Sequence, residues 1–261
     1  MTKKRTPHPL LRAWQDFSPA DFPRLLAGDQ QLIARGSRVL DYRSYDAFVK
    51  SSDFGGESTN FHLSLLPQPF IGNLTRASVF LLFLNPGFSP GDYYALQHSP
   101  TYAAAIMRNL AQKNGADAYP FFFLDPQFAW TAGGRWWQTK FRSIAGELAN
   151  RNGCSLQKAL EHISRHIACL EMYPYHSQSF REPKVELASK KLICQYVKDV
   201  LVPRALGDDA MIVAARRAAH WQLPLSHKNI IQLSTGEARG AHMTMNTSSG
   251  RAILQKLQEL W

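Results

Sequence analysis

Two short stretches of the sequence place polar side chains at the ends of strongly apolar runs. The first begins at Asn85, in an Asn-Pro-Gly turn after the run 78–84, and Asp92 follows a few residues later. The second contains Glu171, near the end of the run 167–172. An amide can hold a water molecule, and a neighbouring carboxylate can accept the proton of that water. A further carboxyl group can bind or protonate a polar ligand. Structural alternatives exist for each: a rigid connector, a helix cap at Asp92, or a solvated bend at Glu171.

The apolar runs predict the elements that carry these side chains. Unbroken apolar runs are typical of strands covered on both faces, and we assign strands to residues 78–84, 167–172, 210–215 and 229–233. Helices are predicted at 101–113, 136–150, 156–166, 186–201 and 248–261. This alternation predicts an α/β fold: a three-layer α/β/α arrangement with a short, mostly parallel, four-stranded sheet. Ligands in such folds bind beyond the carboxyl ends of the strands, so Asn85 and Glu171 are expected to share one cavity.

The first 56 residues have a different pattern and predict a helical extension. Ser18 followed by Pro19 is typical of a helix start, with the serine as N-cap. The Asp-Phe-Gly-Gly stretch at 53–56 then breaks the pattern, and strand–helix alternation follows. We therefore divide the chain into an N-terminal helical extension, 1–56, and one α/β domain, 57–261.

Composition and charge narrow the class of partner. The 261 residues are 45% hydrophobic and 19% charged, as in ordinary globular proteins. Lys and Arg number 30 against 20 Asp and Glu, a net charge of +10 that suits a polyanionic partner such as DNA. A basic surface kept for solubility is the alternative. No apolar run is long enough to cross a bilayer and the start lacks a signal core, so we expect a cytoplasmic protein with no membrane partner.

The cysteine pattern argues against bound metals. Cys154, Cys169 and Cys194 are widely spaced and are expected to be reduced. Three thiols cannot supply the four ligands of a Cys₄ iron–sulfur cluster, and no HExxH or other metal-ligand spacing occurs. We predict no cofactor and no metal.

The apolar strand ending in Asn-Pro-Gly resembles the first motif of the uracil-DNA glycosylase superfamily. It is closest to the mismatch-specific and single-strand-selective branches, which carry Gly-x-Asn-Pro-Gly; Phe83 stands where the leading Gly would fall. The stretch Leu-Glu-Met-Tyr-Pro at 170–174 is similar to the His-Asn-x-x-Pro of the single-strand-selective enzymes, with Glu171 over the base-reading Asn. The resemblance covers roughly residues 60–261. It implies that Asn85 holds the hydrolytic water.

Under this resemblance, the chain is expected to be a monofunctional, monomeric DNA glycosylase that flips a nucleotide out of DNA and hydrolyses its glycosidic bond. The family's third motif, His-Pro-Ser, is absent. The fourth strand instead runs into a polar loop in which Ser234 occupies the aligned position. His242, further along that loop, is the candidate to support the leaving base, and Asp92 is an alternative general base.

Two positions predict the target base. A carboxylate at 171 accepts well from the exocyclic amine of cytosine and poorly matches the O4 of uracil, and a protonated Glu171 would donate to cytosine N3. Gly87 stands where the most uracil-restricted branch has a Tyr that excludes bases with a 5-substituent. Together they point to a 5-substituted cytosine. The chain looks compatible with phage-defence glycosylases of this superfamily that excise glucosylated hydroxymethylcytosine.

Further residues are candidates for binding the base or the DNA backbone. Phe88 is the first choice to stack on a flipped base, and Tyr94 the next. His176 is expected near the pocket mouth, unless it is purely structural. DNA contacts are assigned to Arg239, to Met243 as a wedge in the base stack, and to Ser248, Ser249 and Arg251 at the start of the last helix. An ordinary N-cap explains the start of the last helix equally well.

Three other functions stay open on the sequence. The missing third motif allows a non-catalytic DNA-binding protein on the same fold, and a uracil-excising glycosylase also fits. A hydrolase of free nucleosides or nucleotides fits the basic surplus less well, because a small substrate needs no extended positive surface.

Overall fold

A computed structural model describes residues 7–34, 39–234, 236–237 and 243–261. The seven strands in these ranges are β1 Val39–Leu40, β2 Phe61–His62, β3 Phe70–Ile71, β4 Val79–Phe83, β5 Ile167–Glu171, β6 Met211–Ala214 and β7 Ile230–Gln232. Five form one sheet in the order β3-β5-β4-β6-β7, and β1 pairs with β2 separately. All pairs in the five-stranded sheet are parallel except β3 with β5. The mixed α/β class and the mostly parallel sheet are confirmed.

The predicted count of four strands was one too low. All four predicted strands are present, but the antiparallel edge strand β3 was missed. It is two residues long, too short for a run of apolar residues or an alternation to mark it.

Helices alternate with the strands along the chain and also occur in the N-terminal region. They are α1 Pro9–Gln15, α2 Gln31–Ala34, α3 Tyr45–Val49, α4 Pro90–His98, α5 Pro100–Leu110, α6 Ala132–Asn152, α7 Leu156–His166, α8 Ala188–Tyr196, α9 Val202–Leu206 and α10 Ser248–Glu259. A π-helical turn, Val197–Leu201, joins α8 to α9, so the helix predicted at 186–201 continues to Leu206. Within the described ranges, none of the helices has the length and hydropathy to span a bilayer.

Two local sequence signals determine where helices α6 and α4 begin. Helix α6 begins four residues before the predicted start, because the Thr131 side chain accepts a hydrogen bond from Gly134 N and caps the helix. Helix α4 was not predicted. Pro90 opens it after Ser89, a position where the fixed φ of proline favours a helix.

The sheet brings three strand ends together. Every residue of β4 is buried, and β5 and β6 flank it in the sheet. Phe83 of β4 is in register with Glu171 of β5, and Leu82 is in register with Ala214 of β6. The next strand along the chain, β5, pairs with one edge of β4, and the strand after it, β6, pairs with the other edge of β4. Such a switch point opens a crevice at the carboxyl ends of the strands.

The N-terminal region differs from the prediction in one respect. Ser18 caps no helix, because α1 has already ended at Gln15 and residues 19–23 form a turn followed by a bend. A helix from Ser18 would also meet Pro23, which lacks the N–H that the helix needs. The extension packs into the main core through apolar side chains such as Leu10 and Trp14, and it also contributes the fully buried Asp29. Its carboxylate accepts hydrogen bonds from the Tyr175 hydroxyl and, at 3.2 Å, from Ser189 N.

Candidate functional site

A cavity of about 560 Å³ opens at the carboxyl ends of β4, β5 and β6. Its volume lies within the roughly 300–1,000 Å³ typical of small-molecule sites. Asn85, Glu171 and Arg216 all line it, each at or just after the end of a different strand. The structure thus brings together the two residues that the sequence singled out first. Other walls come from the loop before α4, the first turn of α6 and the segment 176–180.

The amide of Asn85 is held in one orientation. Its Nδ2 donates to Ser177 Oγ at 2.9 Å, to Pro86 O at 2.9 Å and to Tyr175 O at 3.4 Å. All three bonds use the nitrogen, and among the described residues Oδ1 has no hydrogen-bond partner. A carbonyl oxygen in this position can accept a hydrogen bond from a water molecule in the cavity.

Asp92 serves both as a cap and as part of the cavity wall. Its Oδ2 accepts from Ser89 N at 2.7 Å, which stabilises the start of α4. The side chain is nonetheless among those that line the cavity. Burial raises the pKa of Asp92, against the opposing effects of a positive charge on His176 and the bond from Ser89. The ionised carboxylate is therefore a stronger base than a solvated aspartate.

Glu171 is a buried acid with one oxygen unused. Only 5% of the residue is exposed, which excludes the solvated bend. Oε1 accepts from the thiol of Cys169 at 3.6 Å, whereas Oε2 has no hydrogen-bond partner among the described residues. Burial raises the pKa of Glu171 to about 8, although the Cys169 bond and the charge of Arg216 favour the ionised form. At neutral pH the carboxyl group is mainly protonated.

This pKa predicts a pH-dependent contribution to stability. The folded state holds the Glu171 proton up to about pH 8, whereas the unfolded chain releases it near its usual value of 4.5. The contribution is fully present below pH 4.5 and is lost as the pH rises through 8, a change of roughly 3–5 kcal/mol. Glu171→Gln removes it. Chemical denaturation at pH 5 and pH 8 should show the wild type losing stability relative to the Gln variant; a constant difference would contradict the buried acid.

His176 links two segments of the wall. Its Nδ1 lies 2.8 Å from Gly87 O and its Nε2 lies 3.1 Å from Leu66 O. A doubly protonated ring would donate to both carbonyl groups. The buried ring lines the cavity, but both of its nitrogens are engaged with backbone, so the structural alternative for His176 describes its contacts best.

Aromatic rings form two walls of the cavity. Phe88 lines it while stacking on His62, with centroids 3.5 Å apart and planes 13° apart. Trp136 lines the other side with 38% of its surface exposed. Tyr94 does not line the cavity. It points from α4 towards solvent and packs against Tyr45, so its assignment to base binding is corrected.

Arg216, Trp136 and Gln68 are among the lining residues that the sequence analysis did not assign to the site. Arg216 follows β6 by two residues, as Asn85 follows β4, and this shared offset is a signal that could have found it. Trp136 neighbours Trp137 in the sequence, and a pair of adjacent tryptophans does not show which ring is more exposed: Trp137 is buried, whereas Trp136 is partly exposed. Gln68 is buried beside the Tyr102 hydroxyl and precedes the unpredicted strand β3, so nothing in the sequence pattern marked it.

Of the DNA contacts predicted near the end of the chain, the structure describes Met243, Ser248, Ser249 and Arg251. Met243 is fully buried in the core and cannot act as a wedge without leaving it. Ser249 is also buried, with its hydroxyl donating to Thr247 Oγ1 at 3.2 Å. Ser248 and Arg251 are exposed but do not line the cavity. Thr247 accepts from Gly250 N, the ordinary N-cap arrangement. Arg239 and His242 lie outside the described residues.

No protein-family model, curated protein or solved structure matches this chain. In the part of the chain that the structure describes, no group of three or more His, Cys, Asp and Glu side chains could hold a metal ion. The interpretation of the cavity therefore rests on its own residues.

Proposed function

We propose that the protein is a monofunctional DNA glycosylase of the uracil-DNA glycosylase type, with a three-layer α/β/α fold, acting on a 5-substituted cytosine. The observation that carries the proposal is the unpartnered Oε2 of a protonated, buried Glu171 in a cavity that Asn85 also lines. A buried polar atom without a partner is costly, and a bound ligand that supplies the partner recovers that cost.

The edge of cytosine complements this acid. A carboxylic acid offers one O–H donor and one acceptor, which match N3 and the exocyclic amine of the base. When the bond between N1 and the sugar breaks, the proton moves from Glu171 to N3, and the departing base leaves neutral. The resulting carboxylate then faces two N–H donors of cytosine. Uracil already carries a proton on N3, so it can pair with the acid only in the opposite donor–acceptor order, and its N3 cannot take the Glu171 proton as the base departs.

Asn85 and Asp92 supply the other half of the reaction. Oδ1 of Asn85 would hold a water molecule, and Asp92 would accept its proton as the oxygen attacks C1′ of the sugar. The glycosidic electron pair goes to the base. The products are the free base and an abasic site, and atoms and charges balance without a cofactor.

The space at Gly87 supports a substituted base. A Cβ built on Gly87 would have no heavy atom within 4 Å, so the cavity is open beside this residue. The cavity as a whole is larger than an unmodified pyrimidine requires. A hydroxymethyl group or a sugar attached to it could occupy the remainder, and the net charge of +10 suits DNA.

Base release from defined oligonucleotides tests the proposal. Matched strands would carry uracil, cytosine, hydroxymethylcytosine or glucosylated hydroxymethylcytosine, with Asn85→Ala as the inactive control. We expect release of the substituted cytosines and an alkali-labile abasic site. Robust uracil release without activity on the substituted bases would overturn the cytosine assignment.

A non-catalytic DNA-binding protein is the second candidate. It is favoured by Ser234, which stands where the family has its third-motif His: the residue is exposed and its hydroxyl donates to Glu237. Tight binding of the same oligonucleotides without release of any base would support this function.

A further inference from the structure

Cys169 and Glu171 lie two residues apart on β5, so their side chains share one face of the sheet. Both are buried, and the thiol of Cys169 donates to Oε1 of Glu171 at 3.6 Å. Cys169 does not line the cavity. The thiol that contacts the Glu171 carboxyl group is therefore buried in the core and is not part of the cavity wall.

The direction of this bond decides which oxygen carries the acidic proton. Burial, with the adjacent Glu171 as a second cause, raises the pKa of the Cys169 thiol, so the sulfur keeps its proton and acts as the donor. Oε1 is then the accepting, carbonyl-like oxygen. The carboxyl proton falls to Oε2, the oxygen that has no partner.

We propose that Cys169 is a positioning residue, whose thiol holds Oε1 of Glu171 so that Oε2 carries the proton offered to the substrate base. This inference rests on the proposed function, because it assigns the acid its orientation for cytosine N3. The other charged and titratable side chains that line the cavity are those of Asp92, Tyr102, His176 and Arg216. The charge of Arg216 favours the ionised form of Glu171, and within the described residues the hydrogen bond to its carboxyl group comes from the Cys169 thiol.

Paired substitutions separate hydrogen bonding from packing. Cys169→Val removes the donor while keeping most of the bulk, and Cys169→Ser keeps a donor. The titration of Glu171 is followed by NMR of protein with ¹³C-labelled glutamate, with Glu171→Gln providing the assignment. We expect Cys169→Val to shift the titration to higher pH, because the carboxylate loses a hydrogen bond, and Cys169→Ser to restore it.

Single-turnover base release gives a second readout on the same proteins. The rate should fall in Cys169→Val and recover in Cys169→Ser. Cys194→Val is the matched control, since Cys194 is a half-buried thiol on α8 away from the cavity, and it should change neither readout. Cys169→Ala replaces the Val variant if the latter does not fold.

Two results would overturn the inference: an unchanged titration in Cys169→Val, or equal effects of Val and Ser on both readouts, which indicate packing alone. Failure of the glycosylase proposal is seen separately. If the wild type releases no base, that function is lost on this result, whereas the titration still decides whether the thiol holds Glu171.

Discussion

Glu171→Gln is expected to slow base release by about 10²- to 10⁴-fold while leaving DNA affinity within a few-fold of the wild type. Glutamine has nearly the same shape and still offers one donor and one acceptor to cytosine. It has no proton to transfer to N3, so only the chemical step loses its acid. Single-turnover rates and equilibrium binding to an oligonucleotide with the substituted base measure the two effects separately.

The pH dependence provides an internal check on this substitution. Burial raises the pKa of Glu171 to about 8, so wild-type release should fall as the pH rises through this value and the acid form disappears. The residual rate of the Gln variant should lack this alkaline limb. Glu147→Gln is the matched control on an exposed face of α6, where the carboxylate pairs with Arg151. A Gln variant as active as the wild type would remove Glu171 from the mechanism.

Gly87→Tyr is expected to reduce release of the glucosylated base by about 100-fold or more, with a much smaller effect on unmodified cytosine or uracil. The side chain has room to enter the cavity, because a Cβ at this position meets no heavy atom within 4 Å. The ring would then fill the space assigned to the 5-substituent. Competition between oligonucleotides with and without the substituent measures the discrimination directly.

The chain offers a close control for the bulk of the new ring. Gly146, on α6, also has nothing within 4 Å of a built Cβ and does not line the cavity. Gly146→Tyr should leave the preference among bases unchanged. If Gly87→Tyr lowers activity on all bases equally, the space beside Gly87 does not hold a substituent and serves general access.

The meeting of Asn85 and Glu171 could be predicted from sequence because parallel strands end at one edge of a sheet. Both residues stand at or just after the end of an apolar run, and Phe83 and Glu171 are in register in the structure. The apolar runs and their positions along the chain were sufficient to predict that Asn85 and Glu171 lie near each other. The same reasoning, applied to the strand ending at Ala214, would have included Arg216.

Burial and direction of individual side chains could not be obtained in this way. Met243 and Trp136 are both large apolar residues near polar segments, yet the first is fully buried and the second lines the cavity. Neighbouring Tyr93 and Tyr94 diverge because successive residues of a helix point in different directions. Gln68 enters the site through long-range packing with Tyr102, which no local pattern encodes.

The contact between Asp29 and Tyr175 limits how far the protein can be shortened. Tyr175 precedes His176 and Ser177, and its backbone oxygen also accepts from Asn85. A chain beginning at residue 57 would keep every side chain named in the cavity but would leave this buried hydroxyl without its acceptor. We expect such a fragment to lose the orientation of Asn85, so residue 56 divides two sequence patterns rather than two independently folding units.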